Sequence, residues 1–288
     1  MKNYKPKIAI TGYRGVIGSE FVKLYKKNFE FIFFKEDIRK KNLVKKWIKK
    51  NKPNFVIHLA AKVEVKDVNA NKRLANEINY IGTKNLVDAI KFYKLKPWFF
   101  FASSSHVYNF SKHKITEKSK TNPITYYGSL KLKTENYLFK NKNKLNICIG
   151  RIFSFTHPKQ NEKYFVPSIF SKLIKNKELD LKNLNKECRD FLSVDDICKA
   201  IKLLLDNKYK GTLNICSSKS INLGKIARYL IFKLFRKKIN SKINNNVKIN
   251  KLIGSNRKLK IIGFNPTKNI YQILDNFIKE KTNYLKNI

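Results

Sequence analysis

Residues 8–21, IAITGYRGVIGSEF, set Gly12, Gly15 and Gly18 three apart between an apolar run and a segment with helical spacing. This stretch constrains the fold more than any other. An apolar run that ends in a glycine-spaced turn and re-emerges as a helix is a strand–turn–helix unit. The turn brings backbone N–H groups and a helix N-terminus to one point, where they suit the two negative charges of a pyrophosphate. Each glycine has a mechanical reason, whether an unusual backbone angle, close approach to a phosphate, or tight packing of helix on strand. The reading is therefore a dinucleotide-binding turn opening an α/β domain.

The rest of the chain keeps the same rhythm. FEFIFF reads as a second strand and LVKKWIKKN as a helix that stops at Pro53. FVIHLAA is a third strand, ANEINYIGTKNLVDAIKFYK has apolar residues at helical spacing, and PWFFFASSS is a fourth strand running into serines. YYGSLKLKTENYLFK reads as a helix, LNICIGRIF as a strand, SVDDICKAIKLLLDN as a helix with a Ser-x-x-Asp start, and GTLNICSS as a short strand. Strands alternating with helices predict a doubly wound, mainly parallel α/β sheet. Residues 159–188 and 217–288 break the alternation and read as a smaller lobe.

The 63 Lys and Arg against 20 Asp and Glu, a net charge of +43, raise the question of a nucleic-acid partner. The lysines run from Lys2 to Lys286 with no dense block or basic tail, and charge alone reads no base. The chain therefore reads as a solvated lysine surface with no specific nucleic-acid partner, and its field favours anionic substrates. Cys148, Cys188, Cys198 and Cys216 form no C-x-x-C pair, so neither a metal site nor a disulfide framework is expected. No apolar run nears the ~18 residues of a membrane span, and the N-terminal apolar run is too short for a signal peptide. No membrane insertion and a cytoplasmic location are expected.

Several stretches then carry a family resemblance in order along nearly the whole chain. The G-x-x-G-x-x-G turn, Asp37–Ile38 ahead of VIHLAA, NYIGT at 79–83, ASSSHVY, Tyr127-x-x-x-Lys131, RIFSFTHP, RDFLSVDD at 189–196 and GFNP at 263–266 resemble the motifs of the extended short-chain dehydrogenase/reductases, the nucleotide-sugar epimerase/dehydratase branch. The resemblance implies an NAD(P)-binding Rossmann domain over 1–158, also receiving about 189–216, and a small substrate-binding lobe from 159–188 and 217–288. It implies NAD or NADP as cofactor, a nucleotide-diphosphate sugar as substrate, and a homodimer. It assigns the cofactor to Gly12, Tyr13, Arg14, Gly15, Val16, Ile17 and Gly18, to Lys35, Asp37 and Ile38, to Leu59, Ala60 and Ala61, and to Asn79, Tyr127 and Lys131. Asp37 stands where the family contacts adenine.

Tyr127 and Lys131, four apart on a helix, share a face and can meet one ligand. A free phenol, with a pKa of ~10, is a poor acid or base at neutral pH, and a neighbouring ammonium lowers that value. Tyr127 is then the acid/base, Lys131 its tuner and ribose clamp, and Tyr126 a flanking aromatic. Counting from VY as the family does puts the catalytic hydroxyl at Ser104, and Ser103 reads as a strand-end serine capping the backbone. Asn79 either supports this region through backbone or water contacts or is a helix-surface amide.

The departures narrow the chemistry. Dehydrating relatives carry Asp–Glu where this chain has Ser105 and His106, so dehydration is not expected. Reduction of a 4-keto-6-deoxy sugar, or 4-epimerisation through a transient ketone, remains, with a non-catalytic cofactor-binding protein as a further alternative. Ser105, His106, Ser154 and Arg189 are the candidate substrate contacts. Ser154 replaces a family asparagine, His157 replaces a glycine, and Arg189 could pair diphosphate oxygens or a neighbouring Asp190 or Asp195. His58 in its apolar strand reads as a packing residue, and His113 as a loop residue without a role. No acid ends the second strand to hold a ribose 2′-hydroxyl, and Lys35 and Arg14 suit a 2′-phosphate, which favours NADP.

Overall fold

The computed structural model describes residues 5–237 and 249–286. Residues 238–248 and 287–288 of the expected lobe, and the first four of the basic N-terminus, lie outside them. Among the described residues the strands are β1 (Lys7–Thr11), β2 (Glu30–Phe33), β3 (Phe55–His58), β4 (Trp98–Ser104), β5 (Asn146–Ile152), β6 (Ser154–Phe155), β7 (Glu187–Arg189), β8 (Phe191–Leu192), β9 (Gly211–Ile215), β10 (Ile221–Asn222) and β11 (Asn250–Leu252). The helices are α1 (Val16–Tyr25), α2 (Lys41–Asn51), α3 (Val65–Ala70), α4 (Lys72–Asn76), α5 (Gly82–Phe92), α6 (Tyr126–Lys140), α7 (Phe165–Ile174), α8 (Leu181–Leu184), α9 (Val194–Asp206), α10 (Leu223–Phe235), α11 (Arg257–Ile261) and α12 (Ile270–Lys286).

Six strands pair in parallel in the order β2-β1-β3-β4-β5-β9. This is the doubly wound sheet that the alternation predicted. Its strands are apolar almost throughout because both faces are covered. Ala9, Val56, Phe99, Phe101, Ile147 and Ile149 pack with Val44 and Ile48 of α2, Leu86, Val87 and Ile90 of α5 and Leu138 of α6. The alternate residues Ile8, Ile10, Ile57 and Phe100 are also fully buried, as strand alternation requires when neither face meets water.

The chain divides into two compact units, 1–109 with 117–152 and 197–215, and 110–116 with 153–196 and 216–288. The boundary thus runs differently from a break at residue 158. Residues 110–116 join the second unit because Ser111 N–H donates to the Lys251 carbonyl and Ile115 bridges Gly254. Residues 153–158 join it because β6 pairs with β8. In that unit β10-β7-β11 form a small sheet, and α7, α10 and α12 pack through Phe170, Ile226, Leu230, Leu274 and Phe277. The buried Asp190 ties its segments together, accepting from Ser217 N (2.8 Å) and Oγ (2.6 Å), Ser218 N (2.9 Å) and Gly254 N (3.3 Å). Burial pushes the Asp190 carboxyl up to about 6, against the pull of those donors.

The segment read as one helix over 75–94 contains a π turn, Glu77–Ile81, between α4 and α5. The Ser-x-x-Asp start of α9 forms as expected, Asp196 N–H donating to Ser193 Oγ at 3.0 Å.

Candidate active site

The glycine turn, residues 59–61 and Ser104 follow or end β1, β3 and β4, three neighbouring parallel strands. All three therefore lie on the carboxyl edge of one sheet, within two strand spacings, roughly 10 Å. Chain order reverses between β1 and β3, the place where such sheets open a crevice.

Gly12 has φ +72°, and a Cβ there would stand 2.6 Å from the Ala60 nitrogen and 2.7 Å from the Leu59 carbonyl carbon. Only glycine permits both the angle and the approach. A Cβ on Gly18 would meet the Gly12 carbonyl at 2.4 Å, so α1 packs directly against the turn. Gly15 is the N-cap of α1 and offers no side chain to its first N–H groups. Gly15 N–H is spent on the Gly12 carbonyl at 3.0 Å, so the donors of this backbone cradle are the first N–H groups of α1, at Val16 and Ile17, which no side chain caps and which suit a dinucleotide's pyrophosphate. The Tyr13 ring lies 4.7 Å from that of Phe33 at the end of β2, with the Arg14 guanidinium 5.4 Å from the Tyr13 ring centre. Lys35 is exposed just beyond β2.

Asp37 is gripped by Arg39, whose Nε and Nη2 reach its oxygens at 2.6–3.0 Å. Hydrogen bonding from Arg39 holds the Asp37 carboxyl below its usual range. Arg39 also reaches Glu77 at 3.3 Å. Ile38 is buried against α5, where a Cβ on Gly82 would strike its side chain at 2.6 Å. Asn85 donates to the carbonyls of Ile38 (3.1 Å) and Arg39 (3.0 Å). Asn85 carries no local sequence signal beyond being a polar residue on the buried face of a helix.

The N-x-x-G-T motif has a mechanical explanation throughout. Asn79 is buried, not a helix-surface amide. Its Oδ1 accepts from Lys62 N at 2.7 Å and its Nδ2 donates to Lys62 O at 2.8 Å, fixing the loop after β3. Thr83 links the Asn79 carbonyl (2.7 Å) to His58 Nε2 (2.8 Å), and His58 Nδ1 meets Thr11 Oγ1 at 2.6 Å. Burial, with help from the Lys131 charge, pushes His58 down to about 3, so it packs as a neutral ring.

Thr125 starts α6 by accepting from Gly128 N at 3.0 Å. Tyr127 and Lys131 are both buried one turn apart on its inner face. Lys131 Nζ donates to the Ala102 carbonyl of β4 at 2.7 Å and lies 5.8 Å from the Tyr127 ring centre. Burial pulls Lys131 down to about 7, opposed by the Glu135 charge. A Cβ on Gly128 would stand 2.1 Å from the His106 carbonyl oxygen, so glycine is what allows α6 to abut the 3₁₀ turn Ser105–Val107. The His106 ring meets Tyr127 edge-on at 5.6 Å.

The roles read for the two serines divide differently. Ser104 Oγ, not Ser103, caps the backbone, accepting from His106 N at 3.2 Å and keeping its own proton to donate. Ser103 Oγ turns to Glu135. Ser105 is buried at the start of the turn, while Ser154 and Arg189 belong to the second unit, on β6 and β7. Arg189 pairs with Glu187, not with Asp190 or Asp195, and its guanidinium lies 5.1 Å from the Phe110 ring centre.

The chain matches the family described as GDP-mannose 4,6 dehydratase over residues 19–275. It is 31% identical over 221 residues to a GDP-6-deoxy-D-talose 4-dehydrogenase from Aggregatibacter actinomycetemcomitans, covering 73% of this chain and 74% of that one. It is 30% identical over 245 residues to a UDP-glucose 4-epimerase from Mycoplasma genitalium, covering 69% and 71%. The fold matches the crystal structure of UDP-glucose 4-epimerase from Thermus thermophilus in complex with NAD, with a TM-score of 0.81, 21% identity, and 94% and 98% of the two chains covered. A doubly wound sheet with a glycine cradle at its switch point, matched across most of its length, places this chain in the NAD-dependent epimerase/dehydratase family of extended short-chain dehydrogenase/reductases, which act on nucleotide sugars. Among the described residues no helix is long and apolar enough to cross a membrane.

Proposed function

We propose that this chain is an NADPH-dependent reductase of a nucleotide-linked 4-keto-6-deoxy sugar. The carrying observation is a buried Tyr127 one helical turn from a buried Lys131, whose Nζ is held by the Ala102 carbonyl of β4, in the same sheet whose β1 runs into the glycine turn. Bound NADPH supplies the hydride. The protein's part is to move one proton and steady one charge. Tyr127 gives its phenolic proton to the oxygen at sugar C4 as that carbonyl becomes an alcohol. Lys131, held by the Ala102 carbonyl, stabilises the phenolate left behind. The Ser104 hydroxyl donates to the same sugar oxygen as its charge grows. Ser105 and His106 replace the acidic pair that water loss needs, which supports reduction over dehydration.

Arg14 and Lys35 next to β2 support the choice of NADPH, as both suit a 2′-phosphate. The 4-dehydrogenase likeness supports chemistry at C4 of a 6-deoxy sugar. The epimerase likeness supports a second reading, with NAD held through every cycle. Denaturing mass spectrometry of gently purified protein separates them. A reductase that exchanges cofactor releases no stoichiometric NAD and binds NADPH about tenfold or more tighter than NADH, one charged contact being worth that much. Stoichiometric retained NAD overturns the reductase reading. Tyr127→Phe should cut hydride transfer about 10²–10⁴-fold while NADPH still binds, and unchanged turnover removes Tyr127 from the mechanism.

A further inference from the structure

Behind Lys131 lies a chain of buried polar groups that the proposed reaction does not use. Glu135 has no solvent exposure and sits one turn beyond Lys131 on the same face of α6. Its carboxylate takes Arg151 Nε at 3.0 and 3.2 Å and Nη2 at 2.6 Å from β5, and Ser103 Oγ at 2.5 Å from β4. Arg151 Nη1 continues to the Tyr108 hydroxyl at 2.7 Å, which donates to Asn214 Oδ1 of β9 at 2.9 Å. A buried ion pair is a poor source of stability, since apolar residues of similar volume often do as well or better. Its position is what distinguishes it. The pair clamps α6 to two strands and sets a carboxylate behind the one buried ammonium that the site needs.

We propose that Glu135 is a positioning residue: it fixes the rotation of α6 that presents Tyr127 and Lys131, and its charge favours the ammonium form of Lys131. This rests on the Tyr–Lys reading of the site. The other groups facing Lys131 do not supply that charge. From β3 comes His58, neutral through burial. From β4 come the Ala102 carbonyl and the Phe101 ring, 4.7 Å away. His106, from the 3₁₀ turn, meets Tyr127 edge-on, and Glu77 of the π turn is committed to Arg39 and Arg73. Glu135 lies one turn from Lys131 and two from Tyr127, so its loss disfavours the ammonium more than it favours the phenolate.

The test is an ultraviolet titration of Tyr127, each protein read against its own Tyr127→Phe partner, without sugar or turnover. Glu135→Gln/Arg151→Met removes both charges and leaves no orphaned guanidinium. Glu135→Asp withdraws the carboxylate by one methylene and serves if the double variant does not fold. In the parent chain Tyr127 ionises below the ordinary ~10. In the double variant its ionisation moves up by about one pH unit or more, and in Glu135→Asp by less in the same direction. Variants with native near-ultraviolet circular dichroism and an unmoved titration overturn the proposal, as does a parent chain whose Tyr127 titrates normally. Absent turnover with every nucleotide sugar counts against the proposed function and leaves this titration unaffected.

Discussion

Gly128 carries no chemistry, yet the site depends on it, because the His106 carbonyl occupies the space a Cβ would need. Gly128→Ala should push the start of α6 off the 3₁₀ turn. The expected stability loss is about 1–3 kcal/mol from overpacking, read by urea unfolding. The turnover loss should be larger, about 10²-fold for an ångström of displacement. At the dinucleotide cradle, Gly12→Ala should abolish NADPH binding, read by fluorescence titration, since it combines a left-handed backbone with a clash against Ala60. That Tyr127 and Lys131 share one buried face of α6 was legible from their spacing, while in so lysine-rich a chain it was the glycine turn and serine-tipped strand ahead of them that singled the pair out. Glu135 and Arg151 were not. They meet across a helix and a strand, and a contact between distant segments leaves no local pattern. The two serines were told apart by counting, but their hydrogen bonds depend on how β4 twists into its turn, which counting does not show.

At the scale of elements, His58 joins β1, β3 and α5 through Thr11 and Thr83. Its pKa is pushed down to about 3. The unfolded chain takes a proton there at about 6.5 and the folded chain refuses it until about 3. In that window the unfolded state binds more protons, so stability falls as pH falls. Between about pH 7 and about pH 5 the expected loss is about 2 kcal/mol, measured by urea unfolding. His58→Gln should flatten that part of the curve, and equal slopes would show that the ring titrates normally. Strand and helix order was legible from apolar spacing because both sheet faces are buried. The π turn at 77–81 was not, since the hydrogen bonds that reset there leave the apolar pattern helical.

For the whole molecule, the division into two units departs from a cut at residue 158 because residues 110–116 pair with a strand far along the chain. Nothing in their composition announces that partner. The charge of +43 acts over this same scale. It should draw a diphosphate-bearing sugar in, so kcat/KM should fall as salt is raised from ~0.05 to ~0.5 M while kcat holds steady. A salt-independent kcat/KM would make the lysine surface a solubility feature only. Hydride delivery to a sugar C4 ketone at the proposed Tyr127–Lys131 pair can be followed atom by atom. The direct measurement supplies deuterium-labelled NADPH with a GDP-4-keto-6-deoxy sugar and follows the label by nuclear magnetic resonance. Deuterium should appear at sugar C4 with the native chain and almost none with Tyr127→Phe. Label left on the cofactor by the native chain, or transferred equally by both proteins, would contradict it.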